Sequence, residues 1–596
     1  MPGTNGNSSA TVKSLALSRS ARETVIQLPD FDRGRLEDIG FLTAMTLTVM
    51  CNYAQTGHFG GPLAYTPYTV ASHLVGPELG GLRYDYRRPK HPFSDRFMLA
   101  GGHNAPVLYA LWMIQGQAME RREAATGDSR YHVDPDIGML PIDALGFRRG
   151  AGALSSLLRD HNLEDHPLMA QAGLRGIRAL SGHAETTDLT NDVNGGPSGV
   201  GVATMAGKAA FWDMVGAPDS LKIMAIEGEF ALTSGHSQEL KTQAVAQQVG
   251  KRLRLLLSYN NAGIDDELVG SVIKSTYESY DIGDQWTSYG WNVLSVEDAN
   301  EYNQVVGALK TMEDWDSTDD RPMILVGPTI KGWWPSASDG QVGGTDQIVD
   351  HASHPWGFPI NGDYFQALAS TFEKKFGVEF QGIRDGAPSD ERERLIQLKT
   401  NMDVCMSVLE QDGLGDWLAE RMVDIGDTVD DNMPLKIDNK VDAFKDERLT
   451  VARLPREAQT VTATNPFSGE KKEVAIKLYE EPGNVRGTRR AISEIIKWMN
   501  YVTENKFIIT AADLAESINV EGGSIWGHFD PITNPAGSRL KAAIQEAGNA
   551  STAIGLISQS ASLDPDKHVG MWAISGTYGA FTPLMYLPAR VWSQQN

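Results

Sequence analysis

Two apolar runs, IMAIE at 223–227 and LRLLLSY at 253–259, break off abruptly, the first in Glu227 and the second in the Asn-Asn-Ala-Gly turn that carries Asn261. Unbroken runs of small, β-branched and leucine residues read as strands buried on both faces, the state of strands in parallel sheets. Open parallel sheets bind ligands at the carboxyl ends of their strands. A carboxylate, an amide and a backbone carbonyl gathered there suit a hard divalent cation such as Mg²⁺, with the remaining oxygens coming from a bound diphosphate. These two runs therefore constrain the chain to an α/β architecture and to a site at one edge of its sheet.

The 596 residues suffice for two or more domains. Residues 1–35 read as a loose polar tail with some helical tendency. From 36 to 365 amphipathic helices alternate with short apolar strands, including 322–327, as a mostly parallel sheet requires. Residues 366–485 read as a linker or insertion, with helical stretches at 390–402 and 404–425 and a hairpin turning at 466–469. A second α/β pattern occupies 486–596, with a strand that ends in Asp513, another in MWAISGTYGAF, and a helix over 582–592.

The net charge of −23 argues against nucleic acid and anionic membranes as general partners. Cys51 and Cys405 are the only cysteines, so no disulfide framework is expected and a reducing compartment is implied. The polar first 30 residues lack the apolar core of a secretory signal, and no run of about 18 apolar residues exists to span a membrane. The expectation is a cytoplasmic protein that acts on a small molecule.

Three Gly-His dipeptides precede the two strands: Gly57-His58 in QTGHFGGPLAYT, Gly102-His103 in SDRFMLAGGHNAP, and Gly182-His183 in ALSGHAETT. Glycine lets the backbone turn tightly and brings the imidazole close to a ligand. Histidine then serves as a proton carrier or as a donor to phosphate and carbonyl oxygens near neutral pH. The turn at 196–201, beginning at Gly196 in NGGPSGVG, is expected to open a small-residue helix whose backbone N–H groups cradle a diphosphate.

In order and spacing, GHFGGPL, DRFMLAGGHNAP, SGHAETT, GGPSGVG, EGE and NNAGID resemble the diphosphate domain of the transketolase family, over about 330 residues. The resemblance implies thiamine diphosphate with Mg²⁺ or Ca²⁺. It places the metal on Glu227, Asn261 and the carbonyl of Gly263, and the diphosphate near Gly196, Gly228, Glu229 and His103. His58 and His183 would face substrate, and His354 in HASHPWGFPI resembles a further active-site histidine. The family carries Gly-Asp-Gly where this chain has Ile226-Glu227-Gly228, a carboxylate one methylene longer.

A second resemblance begins at GTRRAIS, where Arg489 matches an arginine that binds substrate phosphate. ITAADLAESIN matches the Ala-Asp-Leu block of the pyrimidine-binding domain, with Asp513 carried into the subunit interface and Ser517 at the phosphate site. SGTYGAFTPLMY matches the block that sandwiches the aminopyrimidine ring, which implies that Tyr578 and Phe581 stack on it. Family members place a glutamate before this block, in an Arg-Glu-His or Ala-Glu-Gln step, to hydrogen-bond the ring nitrogen. By this alignment its position falls on Ser558 or Gln559, neither of which does a carboxylate's work.

The resemblance implies a transketolase-like subunit that moves a two-carbon ketol unit from a phosphorylated ketose to an aldehyde. Two alternatives stand beside it: a 2-oxoacid decarboxylase resembling the first component of pyruvate dehydrogenase, and a non-catalytic partner subunit. The expected architecture is two parallel-sheet domains of the thiamine diphosphate-binding type, the second incomplete. A homo-oligomer, or a second polypeptide supplying the remainder, would complete it.

Overall fold

A computed structural model of the chain describes residues 12–17, 22–26, 30–173, 175–260, 281–315, 317–335, 356–436, 441–485, 487–564 and 567–593. Its main sheet has seven strands: β1 (Val12–Leu17), β2 (Arg22–Ile26), β3 (Arg96–Leu99), β4 (Ile223–Gly228), β5 (Leu253–Tyr259), β6 (Asn292–Ser295) and β7 (Met323–Pro328), in the order β2-β1-β6-β7-β5-β4-β3. Strands β3 to β7 run parallel. The stretch expected as a loose tail instead contributes the β1–β2 hairpin, and β1 adds antiparallel to β6.

The uninterrupted apolar runs follow from burial on both faces. Along β5, Leu256 enters one core with Leu47, Tyr68, Trp112 and Leu325. Leu255 and Leu257 enter the other, with Phe211, Trp212 and Leu240. The first core holds helices α1 (Arg33–Ala54), α2 (Gly60–Leu74) and α3 (Ala105–Thr126); the second holds α4 (Met205–Met214) and α5 (Gly235–Ala246). Helix α6 (Tyr302–Glu313) returns the chain between β6 and β7.

Helices α7 (Asp363–Phe376), α8 (Glu391–Ser407) and α9 (Leu414–Gly426) bury Phe372, Leu398, Met402, Leu418 and Met422 in the same core as α1 and α3. This stretch thus packs as part of the first unit, although its charged surface made it read as a linker. The helix expected over 404–425 is two helices, with Gly413 in the left-handed region (φ +70°) at the break. The hairpin of β8 (Gln459–Thr464) and β9 (Lys471–Ile476) forms as expected, its turn held by Asn465 Oδ1 accepting the N–H groups of Phe467 and Ser468 at 2.9 and 3.1 Å.

The second unit contains α10 (Arg489–Val502), the parallel pair β10 (Phe507–Ala511) and β11 (Trp572–Gly576), α11 (Glu546–Ile557) and α12 (Tyr586–Ser593). It sits on the second core of the main sheet: Ile508 and Leu556 pack with Phe211 and Leu240. Glycine sets the closeness of α11 to α4. A Cβ at Gly207 would strike the Thr552 carbonyl, and one at Gly555 the Thr204 carbonyl.

Candidate active site

Strand β4 delivers Glu227 to the carboxyl edge of the sheet, level with Leu257 of β5 and followed by Gly228 opposite Ser258. The Gly101-Gly102-His103 loop lies against it, after β3, and packs backbone on backbone against Gly195. A Cβ on Gly102 would meet Gly195 at 2.8 Å, and one on Gly195 would meet the Gly102 nitrogen at 2.7 Å. The third histidine loop is tied to the second, since the Ala184 N–H donates to the Gly102 carbonyl at 3.2 Å. The first takes its tight turn at Gly57 (φ +113°) and is clasped from behind β7, where Gly332 N–H donates to the Gly60 carbonyl at 2.8 Å.

The result is one cavity of about 440 Å³ at the sheet edge, whose lining includes His58, His103, His183, Glu227, Gly228 and Glu229. The ring centroids of His58 and His103 lie 4.8 Å apart, those of His58 and His183 6.1 Å apart. Burial, with the nearby Arg148 charge, holds the His183 imidazole below its ordinary pKa and so neutral at pH 7.

Glu227 is fully buried. Its Oε1 accepts the Gly228 N–H at 2.9 Å, whereas Oε2 has no hydrogen-bond partner. Burial pushes its carboxyl up to about 8, against the backbone N–H groups of Gly228 and Gly199, with the neighbouring Glu229 adding to the rise. An anion cannot be held in so dry a place without a counter-charge. A divalent cation is such a charge, and the lone oxygen offers it a ligand. Among the described residues no cluster of three or more His, Cys, Asp or Glu is arranged to hold a metal. A cation at Glu227 would therefore take neutral and diphosphate oxygens besides. The residues present fit a metal–diphosphate group.

Several expected site residues stand differently. Asn261, Gly263 and His354 lie outside the described residues. Gly196 does not line the cavity; the turn delivers Ser198 instead, and a 3₁₀ turn (Val202–Thr204) separates it from α4. Arg489 and Ser517 are brought together, Arg489 Nη1 donating to the Ser517 carbonyl at 3.4 Å. Tyr578 and Phe581 lie on the surface, 39% and 46% exposed, and do not line the cavity in the same chain.

Ser558 and Gln559 are structural. They end α11, where Gln559 is 1% exposed and its Oε1 accepts from Arg96 Nε at 2.7 Å and Trp212 Nε1 at 3.1 Å. Lys208 Nζ donates to Ser558 Oγ at 2.9 Å. The carboxylate stands at the other end of the same helix. Glu546, in Ile544-Gln545-Glu546-Ala547, is buried in the first turn of α11 and its Oε1 accepts from Thr577 Oγ1 at 3.0 Å. Thr577 directly precedes Tyr578, so this glutamate adjoins the aromatic block. Its sequence signal was the Gln-Glu-Ala step itself. Lys331, after β7, is a second unanticipated member: it is 5% exposed and lines the cavity beside Glu227 and His103.

The family described as "Transketolase, thiamine diphosphate binding domain" matches residues 171–358. Transketolase 1 of Candida albicans is 24% identical over 355 residues, covering 58% of this chain and 42% of its own length. Transketolase of Halalkalibacterium halodurans is 23% identical over 354 residues, again covering 58% of this chain and 42% of its own length. This chain thus spans about two fifths of the curated relatives it matches. Among solved structures, transketolase from Leishmania mexicana superposes with a TM-score of 0.57 at 17% identity, over 94% of this chain and 67% of that one. That likeness concerns the fold. Residues 171–358, which carry His183, Glu227 and Glu229, match a transketolase-type thiamine diphosphate binding domain, and the chain is similar to transketolases over 58% of its length.

Proposed function

We propose that the chain is a thiamine diphosphate- and Mg²⁺- or Ca²⁺-dependent transferase that moves a two-carbon ketol unit from a phosphorylated ketose to an aldehyde. The observation that carries this reading is the convergence of His58, His103 and His183 with Glu227 in one cavity at the carboxyl edge of the sheet. When bound, thiamine diphosphate supplies a carbon nucleophile and an electron sink.

The chain's own residues supply the rest. Glu227 Oε2 holds the cation, with Asn261 and the Gly263 carbonyl as its expected companions. His103 and Lys331 face the diphosphate as donors, and Gly228 and Glu229 border it. Neutral His183 and His58, half-buried, take or give a proton at the substrate hydroxyls, as imidazoles do near neutral pH. Arg489 and Ser517 hold the phosphate of the sugar, and His354 remains a proposed further histidine.

Glu546 takes the acid role that Ser558 and Gln559 lack, which removes the motive for a non-catalytic partner. It lies beside Tyr578, and neither Tyr578 nor Phe581 reaches the cavity of its own chain. The reading is therefore that the two walls meet across copies of the chain, with a second polypeptide as the alternative. A coupled assay of ketol transfer from a ketose phosphate to an aldehyde phosphate tests the function. Turnover that requires both thiamine diphosphate and Mg²⁺ is expected. Cofactor binding without turnover on ketose donors would refute the transfer reading.

A further inference from the structure

Asn104 stands at the N-cap position of α3, where an asparagine side chain ordinarily accepts a hydrogen bond from the helix's first turn. Here it makes no such bond. The residue is 1% exposed and lines the 440 Å³ cavity. Its amide lies beside the Tyr65 hydroxyl, yet neither Oδ1 nor Nδ2 has a hydrogen bond of good geometry. Each buried polar group left in that state costs about 1–3 kcal/mol. Such an orphan in a native fold calls for an explanation, and a ligand or ion is among the common ones.

The surroundings are built to hold this amide. A Cβ on Gly61 would collide with Asn104 Oδ1, so the glycine makes its room. On the other side, a Cβ at Gly101 would sit 3.0 Å from Asn104 Nδ2, 3.0 Å from Glu227 Oε1 and 2.8 Å from the Tyr65 hydroxyl. The amide nitrogen, the carboxylate and the phenol thus converge on one point of the Gly101-Gly102-His103 loop. The donor end of Asn104 faces the Glu227 side and its acceptor end faces Gly61. An N–H placed beside a cation-holding carboxylate suits the anionic oxygens that the cation carries with it.

Building on the cofactor reading above, we propose that Asn104 is a cofactor-binding residue whose amide N–H donates to a phosphoryl oxygen of the diphosphate held at Glu227. Because the side chain makes no cap bond to α3, its removal leaves the helix intact. This separates a ligand role from a structural one.

Calorimetric titration of the full chain with inorganic pyrophosphate and with thiamine diphosphate, at fixed Mg²⁺, tests the proposal. The wild type should bind both. Asn104→Ala should bind each at least tenfold more weakly, the loss expected for one hydrogen bond to a charged group, with a ligand-free melting temperature no lower than the wild type's. Asn104→Asp should be weaker still, since a carboxylate repels the diphosphate. Gly61→Ala, which displaces the amide without removing it, should weaken both ligands as well and serves as the independent variant should Asn104→Ala fail to fold. Wild-type affinity in Asn104→Ala, or tighter Mg²⁺-pyrophosphate binding in Asn104→Asp, would overturn this inference and leave the cofactor reading standing. No binding by the wild type would overturn both.

Discussion

The edge of the main sheet and the surface of the second unit carry their chemistry in opposite ways. At the sheet edge, side chains from three histidine loops and from strand β4 converge in one cavity, and Glu227 among them is fully buried with an oxygen unpaired. On the second unit, Tyr578 and Phe581 face outward, with Leu584 and Tyr586 beside them 56% and 65% exposed. A convergent cavity that buries its charged groups is preorganised and strengthens the charge interactions inside it. Exposed aromatics gain their energy only when something covers them. On the function proposed above, the first wall is ready within one chain and the second acts only when it meets another surface.

The most severe way to break this contrast is to remove the proposed acid of the second wall. Glu546→Gln should lower ketol transfer by about 10²–10⁴-fold, the usual range for a lost general acid, while cofactor affinity changes little. Retained turnover, measured in the coupled assay, would put the acid elsewhere.

Next comes the first wall. Glu227→Ala should abolish Mg²⁺-dependent cofactor binding. Glu227→Gln also tests the burial argument through pH. The carboxyl has an ordinary value of 4.5 and is held near 8 in the fold. The folded state therefore favours the protonated form. Stability from this group is fully present below about 4.5 and is lost as pH rises towards 8. Apo Glu227→Gln, which stays neutral, should melt a few degrees above the wild type at pH 8 and lose that advantage at pH 4.5. Identical midpoints at both would refute the desolvation account.

Smaller effects are expected on the second unit's surface. Tyr578→Ala should weaken cofactor binding by roughly tenfold, as loss of an aromatic stack does, and more at low protein concentration if copies pair. Analytical ultracentrifugation alongside the titration reads that dependence. The smallest is Ser517→Ala, which should raise KM several-fold for a phosphorylated donor and leave an unphosphorylated ketose unaffected. Equal changes for both would dissociate Ser517 from the phosphate.

The two walls also differ in how far their residues announced them. Strands β4, β5 and β7 were legible within a residue or two, because strands buried on both faces have no polar alternation to blur their ends. The three Gly-His loops were legible because glycine and histidine together mark a turn that meets a ligand. The β1–β2 hairpin was not: its strands, VKSLAL and RETVI, are short, and no glycine, proline or asparagine between them marks the turn. Glu546 was hidden for another reason. A glutamate in the first turn of a helix is the common complement to the helix dipole, and only the short Gln-Glu-Ala step set this one apart. Asn104 and Lys331 were masked likewise, the first as an ordinary cap and the second as a surface charge, until burial in the cavity set them apart.

The proposed function rests on the cavity at Glu227 binding thiamine diphosphate through a divalent cation. Intrinsic fluorescence, which Trp212 and Trp334 near the two cores contribute to, can follow a thiamine diphosphate titration with Mg²⁺ and again after its removal by chelator. Saturable binding with Mg²⁺ that collapses without it, and that Glu227→Ala abolishes, is the expected result. No binding with the cation present, or binding indifferent to both the chelator and Glu227→Ala, would contradict it.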